Sequence, residues 1–287
     1  MTTTPPPEDS RVTVVVMSRD RRDELLTSLA RHRAPVVLVD NGSTDGTAAA
    51  VRNTYPRVRV VEAGRNLGAA ARTVGARHAR TPFVAFADDD SWWAPGSLRA
   101  GAELLASQPQ LGGVAARILV GPDERPDPVC AVLAASPLPA EGLPGPRVLG
   151  FVACAAMLRR EAFLRVGGFD GVVRFPGEED RVAWDLAAAG YPIAYAPHLV
   201  VHHHPSPSRH SARDRERAVV RSRVLTGAMR LPARQAAQLA RDEWRAGGPA
   251  RAGVRAAARD LPRALARRRT LPRPVLEDLA LLGGAGR

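Results

Sequence analysis

The stretch VTVVVMSRDRRDELLTSLARHRAPVVLVDNGSTDGT, residues 12–47, decides the fold. It opens on a β-branched run at 12–17. It then passes through residues 21–31, where Leu25, Leu26 and Leu29 share one helical face, and returns to an apolar run at 36–39. Strands that are apolar on both faces belong inside a sheet covered on both sides, and two of them joined by a helix form a right-handed crossover between parallel neighbours. Outward from this unit the alternation continues, with strands predicted at 58–61 and 83–87. Helices are predicted at 44–53, beginning in a Ser/Thr/Asp cluster suited to capping, and at 67–79, rich in Ala. The chain therefore reads as an α/β fold with a mostly parallel central sheet and helices on both faces. Ligands of such sheets collect at the C-terminal strand ends.

Further along, residues 121–147 carry many Pro, Gly and acidic residues and read as a long surface loop over the site. A strand at 150–158 leads to a short helix at 160–166 that stops at Gly167 and Gly168. A helix at 178–189 ends at Gly190, followed by strands at 192–196 and 199–203. After Pro205 the chain is Arg-rich and helical, broken at Pro232, Gly247-Gly248-Pro249, Pro262, Pro272 and Pro274. Three segments result: a disordered leader at 1–10, an α/β catalytic domain at 11–205 and a basic helical extension at 206–287.

The net charge of +12 is unevenly placed. Residues 1–204 hold 22 Arg against 22 Asp and Glu, whereas residues 205–287 hold 19 against 7. Every side-chain cation other than protonated His is a guanidinium, since the chain contains no Lys, and this Arg habit points to genomic coding bias. The first residues, MTTTPPPEDS, have neither the basic start nor the apolar run of a signal peptide, and no apolar run reaches the length of a membrane span. These features predict a cytoplasmic protein, with Cys130 and Cys154 as ordinary thiols.

Two strand ends carry chemistry. After 36–39 comes DNGSTDGT (40–47), which sets Asp40 at the ligand edge to accept hydrogen bonds from a base or ribose; a capped turn explains the same residues equally well. After 83–87 comes Asp88-Asp89-Asp90, then Ser91-Trp92-Trp93. Adjacent carboxylates at a sheet edge repel one another, and a hard divalent cation, Mg²⁺ or Mn²⁺, relieves them. Asp88 and Asp90 point the same way in extended chain and form the expected pair. Trp92 and Trp93 are candidates to stack on a sugar, although a tryptophan after a buried strand also completes a core, which is the reading favoured for one of them. In His202-His203-His204, extended geometry groups His202 with His204 against His203, and His202 and His204 are the candidate metal or phosphate contacts.

In order, VVVMSRDR (14–21), VDNGSTDGT (39–47), RNLGAAARTVGARHA (65–79), FADDDSWW (86–93), GGFD (167–170) and GEEDRVAWDLAAAGY (177–191) resemble the inverting glycosyltransferases of family 2, which have the GT-A, Rossmann-like fold. The resemblance spans about residues 10–210 and rests on the order and spacing of six segments. It implies a nucleotide-sugar donor held by Ser18, Arg19, Asp40 and Arg72, and a DxD motif at Asp88, Asp89 and Asp90 that binds metal. It also implies an acceptor facing a Glu-Asp pair at a helix start. That pair falls on Glu178 and Glu179, so Glu stands where Asp is usual; Glu179 is the first choice of general base and Asp180 the second. Glu178 and Asp170 are candidate acceptor contacts. Three acids at a helix start also suit the helix dipole without any catalysis.

The acceptor expected from this resemblance is a glycan, a lipid-linked sugar or a small molecule, in cell-envelope or polysaccharide synthesis. Arg-rich segments of the extension mix guanidiniums with Ala, Val and Leu, a pattern suited to peripheral contact with the inner, anionic face of a membrane, or to packing on the catalytic domain. No nucleic-acid partner is expected. Two other classes share parts of the pattern. A nucleotidyltransferase would carry a Gly-bearing phosphate loop near its first strand, which MSRDRRDE lacks. A binding protein would need no carboxylate cluster.

Overall fold

The computed structural model describes residues 7–205 and 211–285. The strands are β1 Val12–Ser18, β2 Val36–Asp40, β3 Arg59–Glu62, β4 Phe83–Asp88, β5 Ser91–Trp93, β6 Gly113–Val120, β7 Arg125–Pro126, β8 Arg147–Val148, β9 Ala156–Arg159 and β10 Ile193–His203. The helices of the first two thirds are α1 Arg22–Leu29, α2 Thr47–Thr54, α3 Ala70–His78, α4 Ser97–Ser107, α5 Pro128–Ala134, α6 Arg160–Arg165 and α7 Glu179–Ala188. Five follow: α8 Ala212–Arg230, α9 Ala233–Ala246, α10 Gly248–Ala258, α11 Leu261–Ala266 and α12 Arg273–Ala285.

The sheet runs β3-β2-β1-β4-β9-β6-β10-β5. The four predicted strands form its parallel half, with β1 between β2 and β4. Because the chain goes to one side of β1 for β2 and β3 and to the other for β4, the strand order reverses at β1, which is where open α/β sheets bind ligands. Val12, Val14, Val15 and Val16 are fully buried, as continuous apolar strands require.

Beyond β4 the sequence reading needs correction. The strand expected at 150–158 is a buried loop, a single 3₁₀ turn at Ala153–Ala155 and then β9, which lies antiparallel between β4 and β6. Helix α4 and strand β6 are further elements that the sequence reading does not distinguish. The strands expected at 192–196 and 199–203 are one strand, β10, whose register shifts between Ala196 and Val200, around Pro197, whose missing N–H breaks the ladder. The loop expected at 121–147 contains β7, α5 and β8.

The leader expected at 1–10 is anchored from Glu8, whose N–H donates to Arg33 O at 2.8 Å and whose carboxylate accepts from Gly96 N–H at 3.0 Å. Residues 1–6 lie outside the described residues. The extension is docked on the α/β body. Val220, Val224, Leu225 and Met229 of α8 share an apolar cluster with Val172 and Val173. Arg230 grips Asp185 of α7 through both carboxylate oxygens, and Arg147 pairs with Asp278 of α12. No helix among the described residues is long and apolar enough to cross a membrane.

Candidate active site

Three strand ends meet at the switch point. In register, Met17 of β1 lies beside Asp88 of β4 and Ser18 beside Asp40 of β2. Ser18 Oγ donates to Asp89 Oδ2 at 2.9 Å, and Arg21, just past β1, donates to Asp89 Oδ1 at 3.3 Å with Asp90 Oδ2 at 3.8 Å. Burial pushes the Asp89 carboxyl up to about 7; Arg21 opposes the shift, and Asp88 and Asp90 add to it. Asp88 receives Arg72 Nη2 from α3 at 2.5 Å. The same guanidinium, 1% exposed, reaches Glu178 Oε1 through Nη1 at 3.3 Å. Arg72 on α3 thus ties the DDD turn to Glu178 at the start of α7, 106 residues beyond Arg72 in sequence.

Behind this cluster the end of β2 is held by a loop-to-loop clasp. Asn41 accepts Leu67 N–H at 2.7 Å and donates to Asn66 Oδ1 and Gly68 O. Gly42, at φ +81°, lies so close to the backbone of Arg65 that a β-carbon would meet it at 2.8 Å, so only glycine permits the clasp. Asp40 is buried and gives Oδ1 to the N–H of Ser43, while Asn41, Ser18 and Arg19 line the cleft. The signal for Asn41 was present in the NG dipeptide, but its partner, the Asn66 loop, is 25 residues away.

Four expected contacts are redirected. Trp93 is 3% exposed, its Nε1 donating to Phe86 O at 3.0 Å, and it belongs to the core. Trp92 is covered by the Arg31 guanidinium at 4.0 Å and stacks on His202. Asp170 is spent on its own loop: Oδ1 accepts the N–H groups of Val172 and Val173, and Oδ2 faces Arg181 and Arg267. Glu178, 1% exposed, holds Arg72 and does not face an acceptor. Burial and then the neighbouring Glu179 push its carboxyl well above the ordinary range, with Arg72 pulling against them.

Of the histidines, His203 faces the acids, with Nε2 3.4 Å from Asp90 Oδ1. His202 pairs with Glu124 at 3.1 Å, and His204 lies against Trp92. The alternation holds, but the antiparallel pairing of His203 with Ser91 sets the opposite face toward the site.

Across the cleft from the DDD turn, α7 begins with Glu179 and Asp180, both lining the same cavity. Glu179 Oε1 accepts Ala153 N–H at 3.4 Å. Its charge bears on Arg72 together with those of Asp88 and Glu178, whereas Asp180 feels Glu179 and, from α8, Arg223. Burial, then Glu179, lifts the Asp180 carboxyl to about 6. Below the ordinary aspartate range neither folded nor unfolded chain is ionised there. From about pH 4 to 6 only the unfolded chain has released the proton, so stability falls as pH rises, and the penalty is complete above about 6. Asp180→Asn is therefore expected to unfold at higher denaturant than wild type at pH 7, by about 3 kcal/mol, with the advantage vanishing near pH 4. Urea titrations at the two pH values check this; an equal difference at both would refute the assignment.

Among the described residues no three His, Cys, Asp or Glu side chains form a ready metal cage. Mg²⁺ and Mn²⁺ do not require one, since they are commonly held by one or two carboxylates, substrate phosphates and water. Asp88 and Asp90, with the His203 imidazole beside Asp90, fit that donor set.

Comparison with known proteins agrees with this architecture. Residues 12–167 match the model of glycosyl transferase family 2. The N-acetylglucosaminyl-diphospho-decaprenol L-rhamnosyltransferase of Mycobacterium tuberculosis is 34% identical over 215 residues, covering 63% of this chain and 70% of that protein. Among solved structures, the mannosyltransferase of Pyrobaculum calidifontis in complex with GDP-Man and Mn²⁺ superposes with a TM-score of 0.58 at 25% identity, covering 99% of this chain and 78% of that one. The Staphylococcus aureus protein TarS, residues 1–349 with UDP, gives 0.56 at 19% identity, covering 80% of this chain and 69% of that one, which bears on the fold alone.

Proposed function

We propose, from the premise that this chain belongs to glycosyl transferase family 2 and is a glycosyltransferase of GT-A fold, that it passes a sugar from a nucleotide diphosphate to a lipid-linked envelope glycan, with inversion. The observation that carries this is the convergence of the Asp88–Asp90 turn, Ser18 and Arg21 at the switch point, opposite the acids of α7 in one cleft. The rhamnosyltransferase relative acts, by its name, on a sugar-diphospho-decaprenol, which supports the acceptor class.

In this reading Asn41, Arg19 and Asp40 meet the nucleoside, and Asp88 and Asp90, with His203, hold a divalent ion. When bound, that ion supplies positive charge to the departing diphosphate. Arg72 fixes Asp88, and Ser18 and Arg21 fix Asp89, so the turn is set before substrate arrives. Glu179, held by the Ala153 N–H, takes the proton of the acceptor hydroxyl as it attacks the anomeric carbon opposite the leaving group. Asp180, which lines the same cleft, is its neighbour and the second choice of base.

Calorimetric titration with UDP, GDP and dTDP, with and without Mn²⁺, tests the donor site. One nucleotide is expected to bind in a Mn²⁺-dependent manner, and Asp90→Ala to weaken it at least about tenfold, since even outer partners of a metal are worth that much. Binding of none of the three by the wild type would overturn the reading.

A further inference from the structure

The cleft that begins at the DDD turn does not end at α7. It is continuous for about 2010 Å³ and runs on between α8, α10 and α11. Pockets for a single small ligand occupy about 300–1,000 Å³, so a nucleotide-sugar leaves much of this volume unfilled.

The far arm is basic by construction. In α10, Ala250, Gly253 and Ala257 are buried against α8. A β-carbon at Gly253 would strike the Arg217 carbonyl at 2.6 Å, so the two helices cross at close range. The opposite stripe of α10, Ala252, Arg255 and Ala256 followed by Arg259, is thereby turned into the cleft, as are Arg215, Arg217 and Arg221 of α8. With Arg263, six guanidiniums line this arm against the carboxylates of Asp214 and Asp260. Asp260 is already engaged by Arg221 at 2.6 Å, with Arg263 at 3.6 Å. Arg255 lies over the Trp244 ring. Among the described residues no carboxylate pairs with Arg215, Arg217 or Arg259, although all three open on the same space. Like charges gathered in a concave site call for a compact polyanion, and guanidiniums are suited to phosphate oxygens.

We infer that this arm is a second phosphate subsite, which holds the diphosphate of the acceptor while the donor's diphosphate sits at Asp88 and Asp90. The inference rests on the transferase reading above and deepens it. It orients the acceptor with its sugar toward Glu179 and its lipid away from the sheet, so that the excess charge of the extension recognises substrate.

The test uses the full chain and farnesyl diphosphate as a soluble probe, titrated with Mn²⁺ and the tightest-binding nucleotide present at saturation. The probe is expected to bind beside the nucleotide, and farnesol to bind at least about tenfold more weakly. Arg215→Ala/Arg259→Ala is expected to weaken the probe at least about tenfold with nucleotide affinity unchanged, while Arg234→Ala on α9 has no effect. Competition between probe and nucleotide, equal binding of farnesol, or wild-type affinity in the double variant would each overturn the inference. So would loss in the double variant only of binding to phosphatidylglycerol vesicles, which would assign the arginines to a membrane surface. If the nucleotide binds with Mn²⁺ and the probe does not, the subsite falls and the transferase stands. Absence of nucleotide binding is the separate failure of the transferase reading.

Discussion

Glu179→Gln is expected to lower kcat by about 10²–10⁴-fold while nucleotide affinity stays within about twofold of wild type. The substitution is nearly isosteric, and its amide oxygen still accepts the Ala153 N–H, so the start of α7 and the cleft wall keep their form. In the proposed mechanism what disappears is the ability to take a proton from the acceptor hydroxyl, which remains a weak nucleophile at neutral pH. Because the base acts as the bond forms, the loss falls on kcat and not on donor binding. Asp180→Asn serves as the comparison. Asp180 is the neighbour of the proposed base and feels the charges of Glu179 and Arg223, so its loss is expected to change kcat by less than about tenfold. Transfer rates with the nucleotide-sugar identified by titration and a sugar-diphospho-lipid acceptor decide the matter. If Asp180→Asn proved the crippling change and Glu179→Gln a mild one, the base would be Asp180 and the assignment one residue out.

The sequence made the parallel half of the sheet legible because β1, β2 and β4 are apolar on both faces and are separated by helices of ordinary length. It made the DDD turn legible because a strand end fixes which edge the acids occupy. It did not reveal β9, since an antiparallel strand reached through a buried loop has the same apolar composition as a longer strand. Alternation in His202–His204 correctly grouped His202 apart from His203, yet choosing the face needed the pairing with Ser91, a contact between distant segments. Asp170 and Glu178 show the same limit. Each carboxylate is near the site in sequence terms, but one is consumed by backbone N–H groups two and three residues on, the other by an arginine on a different helix. The surplus of Arg after residue 205 was visible as a count, while its entry into the catalytic cleft depends on the close crossing of α8 and α10.

The buried Arg72–Glu178 pair makes the second large prediction. Arg72→Met is expected to cost about 3–5 kcal/mol at pH 7, because it leaves Glu178, itself 1% exposed, without its cation. The double variant Arg72→Met/Glu178→Leu is expected to be more stable than Arg72→Met alone, since replacing both members by apolar groups removes the buried carboxyl left without a partner. The sign of the pH effect follows from the same carboxylate. Burial and Glu179 already raise Glu178, and loss of Arg72 removes the one guanidinium pulling it down. The folded variant therefore keeps a proton on Glu178 through a pH range in which the unfolded chain has released it. Wild type shares that behaviour, so the variant's deficit is constant through the ordinary carboxylate range and widens only above the pH at which the wild-type carboxyl itself ionises. Urea midpoints of the wild type, Arg72→Met, Glu178→Leu and the double variant at pH 7 measure the cost and the coupling. Additive single-site costs would mean that the pair is not coupled. A coupled pair has a consequence for the site as well: Arg72 also holds Asp88, which the proposed function places at the donor, so the double variant is expected to bind nucleotide and Mn²⁺ less tightly than wild type, that carboxylate having lost the cation that orients it.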